Sequence, residues 1–413
     1  MIIIGPMYSL LIYLYIAGVK LAALFGHRKA RLLVEGHKNI FPLLKERLRP
    51  GEKYLWFHVS SLGEFEQGRP VMERLRETHP EYRIVLTFFS PSGYESAKKY
   101  QSADIICYLP FDTRRNVGRF LDMLKPEKAF FIKYEFWPNF LAGLKKRGVP
   151  TYSVSSIFRK EQMFFKTIDF GYRKTLKCFT HLFVQDNASK ELLSSIGLDN
   201  VTVIGDTRFD RVMKIAADAK QLALVETFAE GKRVFVAGSS WTPDEDIFIK
   251  YFNAHKGWKL IIASHEVTEA RLTEIQSKFS GKCVRYTQAN MDEAREADCL
   301  LIDCFGLLSS IYRYGKVAYV GGGFGAGVHN LLEAAVYGMP VFFGPNNRKF
   351  REAQKLKEYG GGLEISSYED FEAKMDLFDA DENLLAQSGA AAGEYVGGNS
   401  GATQKLLAAL NLL

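Results

Sequence analysis

From Tyr54 onward, short apolar runs alternate with amphipathic stretches, which is the pattern of βα units and a parallel sheet. The runs that read as strands are Tyr54–Val59, Arg83–Phe88, Ile105–Tyr108, Lys128–Ile132, Thr151–Val154, His181–Val184 and Val201–Ile204. A charged, helical stretch around Arg211–Gly231 follows. A second series then begins, with strands expected at Arg233–Ala237, Lys259–Ala263, Cys299–Ile302, Val317–Val320 and Pro340–Phe343. The expectation is an α/β chain with two doubly wound, Rossmann-like domains, over residues 26–210 and 211–413. Sheets of this kind bind ligands beyond the carboxyl ends of their strands, so the loops that follow these strands are where chemistry is sought.

Ahead of the first domain, residues Met1 to Phe25 are nearly all apolar and interrupted only by Lys20. That is close to the roughly 20 residues a helix needs to cross a bilayer. No Lys or Arg precedes Lys20, as a secretory signal peptide would require, so residues 1–25 predict an uncleaved membrane anchor. Positive charge follows at Arg28, Lys29 and Arg31, which places the body on the cytoplasmic side by the positive-inside rule. Tyr8, Tyr13 and Tyr15 suit a membrane interface. Lys20 sets a helix lying partly in the interface against a full span, and a helix packed on the core is a third reading. The basic residues from His27 through Lys45, Arg47 and Arg49 either meet lipid headgroups or form a solvated helix face.

Composition narrows the picture little. At 413 residues, 47% apolar and 24% charged, the chain is long enough for two or three globular domains and too ordinary for disorder. A net charge of +7 suits an anionic partner, whether nucleic acid, anionic lipid or a phosphorylated substrate. The basic residues are spread out rather than interleaved with aromatics in a patch, which argues against nucleic acid. Five cysteines, Cys107, Cys178, Cys283, Cys299 and Cys304, form no CxxC pair and lie near no His at ligand spacing. Reduced thiols and no metal site are expected.

Three loops carry candidate chemistry. Ser60-Ser61-Leu62-Gly63-Glu64 follows the first strand and opens a helix; Glu64 either complements the positive end of the helix dipole or serves as a base toward an acceptor hydroxyl. Tyr134-Glu135-Phe136-Trp137-Pro138-Asn139 follows the strand Lys128–Ile132 and puts a second carboxylate at a strand end, with helix start and core packing as the structural alternatives for Glu135 and Trp137. The strand Val317–Val320 runs into the glycine-rich Gly321–Asn330 and an expected helical stretch Leu331–Gly338, an arrangement that brings backbone amides close to a phosphate. Its GxGxxA match is not in a domain's first βα turn, so a dinucleotide is not indicated. Glu333, one turn into the expected helix, is placed to bind ribose hydroxyls. Two smaller loops, Gly238-Ser239-Ser240-Trp241 and Ser264-His265-Glu266, follow strands of the second domain and read equally as capping residues.

In combination these segments resemble the bacterial 3-deoxy-D-manno-octulosonic acid (Kdo) transferase family. Val59-Ser60-Ser61-Leu62-Gly63-Glu64 is similar to the family's VSxGE strand end, and Glu135-Phe136-Trp137-Pro138-Asn139 to its ExWPN motif. Gly327 to Ala334, followed by Gly338-Met339-Pro340-Val341 and Phe343-Gly344-Pro345, resembles its nucleotide-binding segment. The resemblance implies the two-domain GT-B fold, CMP-Kdo as donor and an anionic lipid A precursor as acceptor. It also implies inversion by direct displacement with neither metal nor other cofactor, a membrane lipid surface as partner, and residence at the cytoplasmic face of the bacterial inner membrane. Carried over, Glu64 is the general base and Glu135 an acceptor-side or base-supporting carboxylate. Gly238, Ser239, Ser240, Trp241, His265, Gly306, Asn330 and Glu333 line the CMP site.

The chain departs from the family pattern in four places. Ser264 precedes His265 where an arginine is usual, Trp241 stands where a His commonly follows GST, Lys133-Tyr134-Glu135 replaces ETE, and Ser155 to Arg159 replaces an NARLS-like stretch. A GT-B enzyme using a UDP-sugar, or a membrane-bound scaffold without catalysis, are the alternatives.

Overall fold

The computed structural model describes residues 4–167, 169 and 171–413, so Met1 to Ile3 of the expected anchor lie outside the described residues. The chain forms two compact units, Met1–Arg211 together with Gly401–Leu413, and Val212–Ser400. Each is built on a parallel sheet.

In the first unit the strands are β1 (Lys53–Val59), β2 (Tyr82–Phe88), β3 (Ile105–Tyr108), β4 (Lys128–Ile132), β5 (Thr151–Ser156), β6 (His181–Val184) and β7 (Val201–Val203). They lie in the order β3-β2-β1-β4-β5-β6-β7. Strand order reverses between β1 and β4, which pair from Leu55↔Lys128 to His58↔Phe131. The loops after these two strands therefore open at the switch point, where a doubly wound sheet offers a crevice. Side chains alternate along β1: Leu55, Phe57 and Val59 join one buried cluster, whereas Trp56 joins the other. His58 faces the same side as Trp56 and is fully buried.

In the second unit the strands are β8 (Arg233–Ser240), β9 (Trp258–Ser264), β10 (Cys283–Arg285), β11 (Cys299–Leu301), β12 (Val317–Val320), β13 (Val341–Phe343) and β14 (Gly362–Glu364), ordered β10-β11-β9-β8-β12-β13-β14. The switch point lies between β8 and β12, where Val320 pairs with Gly238. β10 and β14, of three residues each, were not expected from the sequence; neither has the four or more apolar residues that make a run recognisable.

The second domain does not run to residue 413 as expected. The helix Ala402–Ala409 belongs to the first unit, where Leu406, Leu407 and Leu412 enter the cluster of Leu55 and Phe57. Its start is fixed there by Asp210, whose carboxylate accepts the backbone N–H groups of Gly401 (2.5 Å) and Thr403 (2.6 Å).

The N-terminal apolar residues form α1 (Ile4–Leu24), and α2 (Arg28–Arg47) follows it. Among the described residues α1 is the one helix long and apolar enough to cross a membrane. Leu10, Leu11, Leu14 and Leu21 are exposed, whereas Val19 packs on the core and Tyr15 lies 6.1 Å from both Phe89 and Phe111, ring centre to ring centre. The remaining helices that bear on the first site are α3 (Leu62–Thr78), α4 (Pro91–Ala97), α5 (Arg114–Leu124) and α6 (Pro138–Lys146). Trp137 begins α6 without a side-chain cap of its own. The buried carboxylate of Asp112 supplies one instead, accepting from the backbone N–H groups of Asn139 (3.0 Å) and Phe140 (2.9 Å) and from the Tyr8 hydroxyl (2.7 Å). Replacing Asp112 by Ala leaves two helix-start donors unpaired and is expected to cost about 1–3 kcal/mol, against about 0.5–1.5 kcal/mol for Tyr8→Phe. Urea unfolding of the detergent-solubilised full chain measures both.

Candidate active site

The loop after β1 and the start of α3 form a reciprocal cap. Ser61 is the N-cap residue, its hydroxyl 3.4 Å from the Glu64 amide, and the Glu64 side chain reaches back to the cap backbone. Glu64 Oε2 accepts from the backbone N–H groups of Ser60 and Ser61, each at 2.8 Å, and from the Ser61 hydroxyl at 3.0 Å. Among the described residues no protein donor engages Oε1. The cap thus uses one oxygen of the carboxylate and leaves the other without a protein donor among these residues. Burial pushes the Glu64 carboxyl above the usual range, the negative charge of Glu135 adds to this, and the three hydrogen bonds oppose it.

Glu135 is not a helix-start residue, because α6 begins at Pro138. It sits in the loop after β4, which leaves the strand through Lys133 at φ 64°, a left-handed conformation uncommon outside glycine. Its buried carboxylate oxygen Oε2 accepts from Ser60 Oγ (2.5 Å), Trp137 Nε1 (2.7 Å) and His58 Nε2 (2.9 Å). Burial alone would raise its pKa; the His58 contact and the Ser60 and Trp137 hydrogen bonds more than offset that and leave it below the usual range. Ser60 therefore bridges the two expected carboxylates, its amide on Glu64 and its hydroxyl on Glu135. Trp137 is half-buried against the core and packs on Phe89 with centroids 4.8 Å apart.

In the second unit the loops after β8 and β12 are pressed together. A Cβ on Gly321 would lie 2.2 Å from the Ser239 carbonyl oxygen, and one on Gly238 would lie 2.0 Å from the Tyr312 hydroxyl. Asp244, fully buried in the helix Thr242–Ala254, joins the two loops: its carboxylate accepts from Trp241 N (2.9 Å), Gly322 N (3.1 Å) and Tyr319 Oη (2.6 Å). Trp241, His265 and His329 stack in sequence, with centroid separations of 4.5 and 4.6 Å, and Trp241 Nε1 lies 3.2 Å from His329 Nε2. Burial, then the neighbouring His265, lowers the His329 pKa. Asn330 and Glu333 meet directly through Nδ2 and Oε1 at 2.9 Å.

Ser239, at φ 52°, turns the end of β8, and Ser240 Oγ donates to the buried Glu245 (2.8 Å). Arg271, from the helix that follows β9, is held by Glu245 and by Glu274 (2.7 Å). Gly306, on the loop after β11, is joined to the others by no hydrogen bond among the described residues. The expected helix Leu331–Gly338 is only Leu332–Ala335. A helix dipole thus contributes less than expected, and the amides of Gly321, Gly322, Gly325, Gly327 and His329 in the glycine loop already donate within the protein.

Neither His58 nor Asp244 is among the residues expected to serve these sites. His58 is a lone imidazole inside the apolar run of β1, a place where burial demands a partner. Asp244 reads as an ordinary first-turn acid.

A family model described as "3-Deoxy-D-manno-octulosonic-acid transferase (kdotransferase)" matches residues 36–211. The 3-deoxy-D-manno-octulosonic acid transferase of Aquifex aeolicus is 30% identical over 345 residues, covering 82% of this chain and 89% of its own. The Haemophilus influenzae protein of the same name is 24% identical over 374 residues, covering 87% and 86%. Among solved structures, the UDP-GlcNAc 2-epimerase from Neisseria meningitidis superposes with a TM-score of 0.62 at 15% identity (87% of this chain, 99% of that one). Acinetobacter baumannii MurG does so with 0.57 at 9% (87% and 100%). These two likenesses establish the GT-B type of architecture and nothing about chemistry.

The crowding between β8 and β12 makes a direct prediction. Gly321→Ala is expected to lose about 1–3 kcal/mol through overpacking. Gly325→Ala, whose Cβ would have its nearest neighbour at 3.6 Å, serves as the control and is expected to change little in the same unfolding experiment.

Proposed function

Because this chain belongs to the 3-deoxy-D-manno-octulosonic acid transferase family and is a Kdo-transferring glycosyltransferase of lipopolysaccharide biosynthesis, we propose that its donor is CMP-Kdo and its acceptor an anionic lipid A precursor. The observation that carries the reading is the state of Glu64: a carboxylate held rigidly by one oxygen, open at the other, and with its pKa raised by burial and by the charge of Glu135. Such a group is a stronger base than an ordinary exposed carboxylate and is suited to take a proton.

In the proposed step Glu64 Oε1 takes the proton of an acceptor hydroxyl as its oxygen attacks the anomeric carbon of Kdo. The bond from that carbon to the CMP phosphate breaks on the opposite side, the electron pair leaves with CMP, and configuration inverts. Glu135 supports the base through Ser60 and through its charge. The loops after β8 and β12 serve the nucleotide. Glycine-loop amides other than those of Gly321, Gly322, Gly325, Gly327 and His329 supply donors to the leaving phosphate, the Asn330–Glu333 pair binds the ribose, and the Trp241–His265–His329 stack stands where the family's arginine is missing. The exposed leucines of α1, with Arg28, Lys29 and Arg31 behind them, support an anchor that holds the body at the cytoplasmic face of the inner membrane.

Glu64→Gln is expected to bind CMP as the parent does, by calorimetric titration, and to lose at least about 10²-fold in turnover, the usual share of general base catalysis. Turnover within a few-fold of the parent contradicts the assignment. A clear preference for UDP over CMP in the same titration contradicts the donor.

A further inference from the structure

We infer that His58 is a positioning residue for this reaction: through its Nε2 bond it holds Glu135 as the charged neighbour against which Glu64 works. The inference rests on Glu64 being the base.

The geometry is that of a relay buried in the sheet. On β2, Thr87 is the register partner of His58, and it too is fully buried. The Thr87 hydroxyl accepts from Trp56 Nε1 at 2.9 Å and lies 2.9 Å from His58 Nδ1, with the Thr87 carbonyl oxygen 3.1 Å from the same nitrogen. On the other side of the ring, Nε2 meets Glu135 Oε2 at 2.9 Å. The hydroxyl can donate to Nδ1 or to the Phe57 carbonyl oxygen (3.3 Å), and the Thr87 carbonyl can accept from Nδ1, so Thr87 gives Nδ1 a partner while Nε2–H points at Glu135. The ring is boxed in by Phe131 and Trp137, at centroid distances of 5.7 and 5.9 Å, and has no other direction to turn.

Two consequences follow for Glu64. The anion at Glu135 is maintained despite burial, and its field adds to desolvation in keeping Glu64 basic. The other ionisable groups facing this pair are Tyr134, from the loop after β4, and those that act on Tyr134 in turn, Arg159 after β5 and Asp206 and Arg208 after β7, while the buried Asp112, from the loop after β3, interacts with the charge of His58. On β1 itself His58 is the titratable group that touches Glu135, and Ser60 is the neutral link between the two carboxylates. Loss of the Nε2 donor leaves a buried carboxylate short of one partner, so it binds a proton more readily. Its charge then no longer opposes ionisation of Glu64.

The direction is therefore fixed. In the parent enzyme the acid limb of kcat/KM reports protonation of Glu64. Without the His58 donor that limb moves to lower pH and turnover on the plateau falls, because a less basic carboxylate accepts the hydroxyl proton less well. Two amides separate the two halves of the ring. His58→Gln places an N–H near the position of Nε2 and keeps a donor for Glu135. His58→Asn reaches only the Nδ1 position, keeping Thr87 and losing Glu135.

The experiment is the pH profile of kcat/KM for the detergent-solubilised full chain with CMP-Kdo and a lipid A precursor, in the parent, His58→Asn, His58→Gln and Glu135→Gln, with urea unfolding followed by tryptophan fluorescence confirming that each is folded. His58→Asn and Glu135→Gln are expected to shift the acid limb downward together, by on the order of one pH unit, the size of effect a nearby charge has on a carboxylate. His58→Gln is expected to keep the parent limb. An acid limb unmoved in His58→Asn, or moved equally in both His58 variants, overturns the inference and leaves His58 a packing residue. Failure of the underlying reading looks different: Glu64→Gln would retain turnover, and the limb would then belong to another group.

Discussion

Glu135 is a carboxylate taken out of water, and the carboxyl end of the first sheet is arranged around satisfying it. An ion buried without partners costs several kcal/mol, so a position of this kind persists only where donors converge. Three do, from two distant stretches of the sequence: His58 inside β1 and Ser60 just after it, and Trp137 at the start of α6. Ser60 then couples this requirement to the cap of α3, since the same residue presents its amide to Glu64. Trp137 couples it to the N-terminal helix, through Phe89 to Tyr15 on one side, while the Asp112 cap reaches Tyr8 on the other. α1 is thus tied by hydrogen bond and ring contact to the turn that carries Glu135, whatever it does toward lipid.

The second unit solves a parallel problem with the same kind of residue. Asp244 is a buried carboxylate whose partners come from the two loops at the switch point of the sheet, and the glycines there allow backbones to approach more closely than any Cβ permits. Each unit therefore gathers its candidate residues where strand order reverses, and each secures the loops at that place with a buried acid. The difference lies in what is left open. In the first unit one oxygen of Glu64 is open, a point for proton transfer. In the second, a stack of three rings stands by a glycine loop whose amides at Gly321, Gly322, Gly325 and Gly327 already donate within the protein.

Much of this was legible in the sequence. Strand positions followed from apolar runs because a parallel sheet buried on both faces has little choice of residue, and the two carboxylates stood out as acids placed just after strands. What escaped did so for physical reasons. β10 and β14 are too short to show a pattern. The return of Ala402–Ala409 to the first unit is a tertiary choice by Leu406, Leu407 and Leu412, which any apolar surface of the right shape could have received. The glycine loop was recognisable, yet the brevity of Leu332–Ala335 was not, because Leu331–Gly338 has helix-compatible residues throughout. His58 looked like part of a core strand, which it is; its second role depends on the loop after β4 turning back at Lys133, a conformation no local residue preference announces.

The reaction proposed for this chain moves Kdo from CMP-Kdo onto a lipid A precursor. The measurement that tests it most directly incubates the detergent-solubilised full chain with CMP-Kdo, generated in place, and the precursor, and follows the lipid by mass spectrometry. The account predicts a lipid heavier by Kdo, with CMP released. An unchanged lipid, in a mixture where an active transferase adds Kdo, would contradict it.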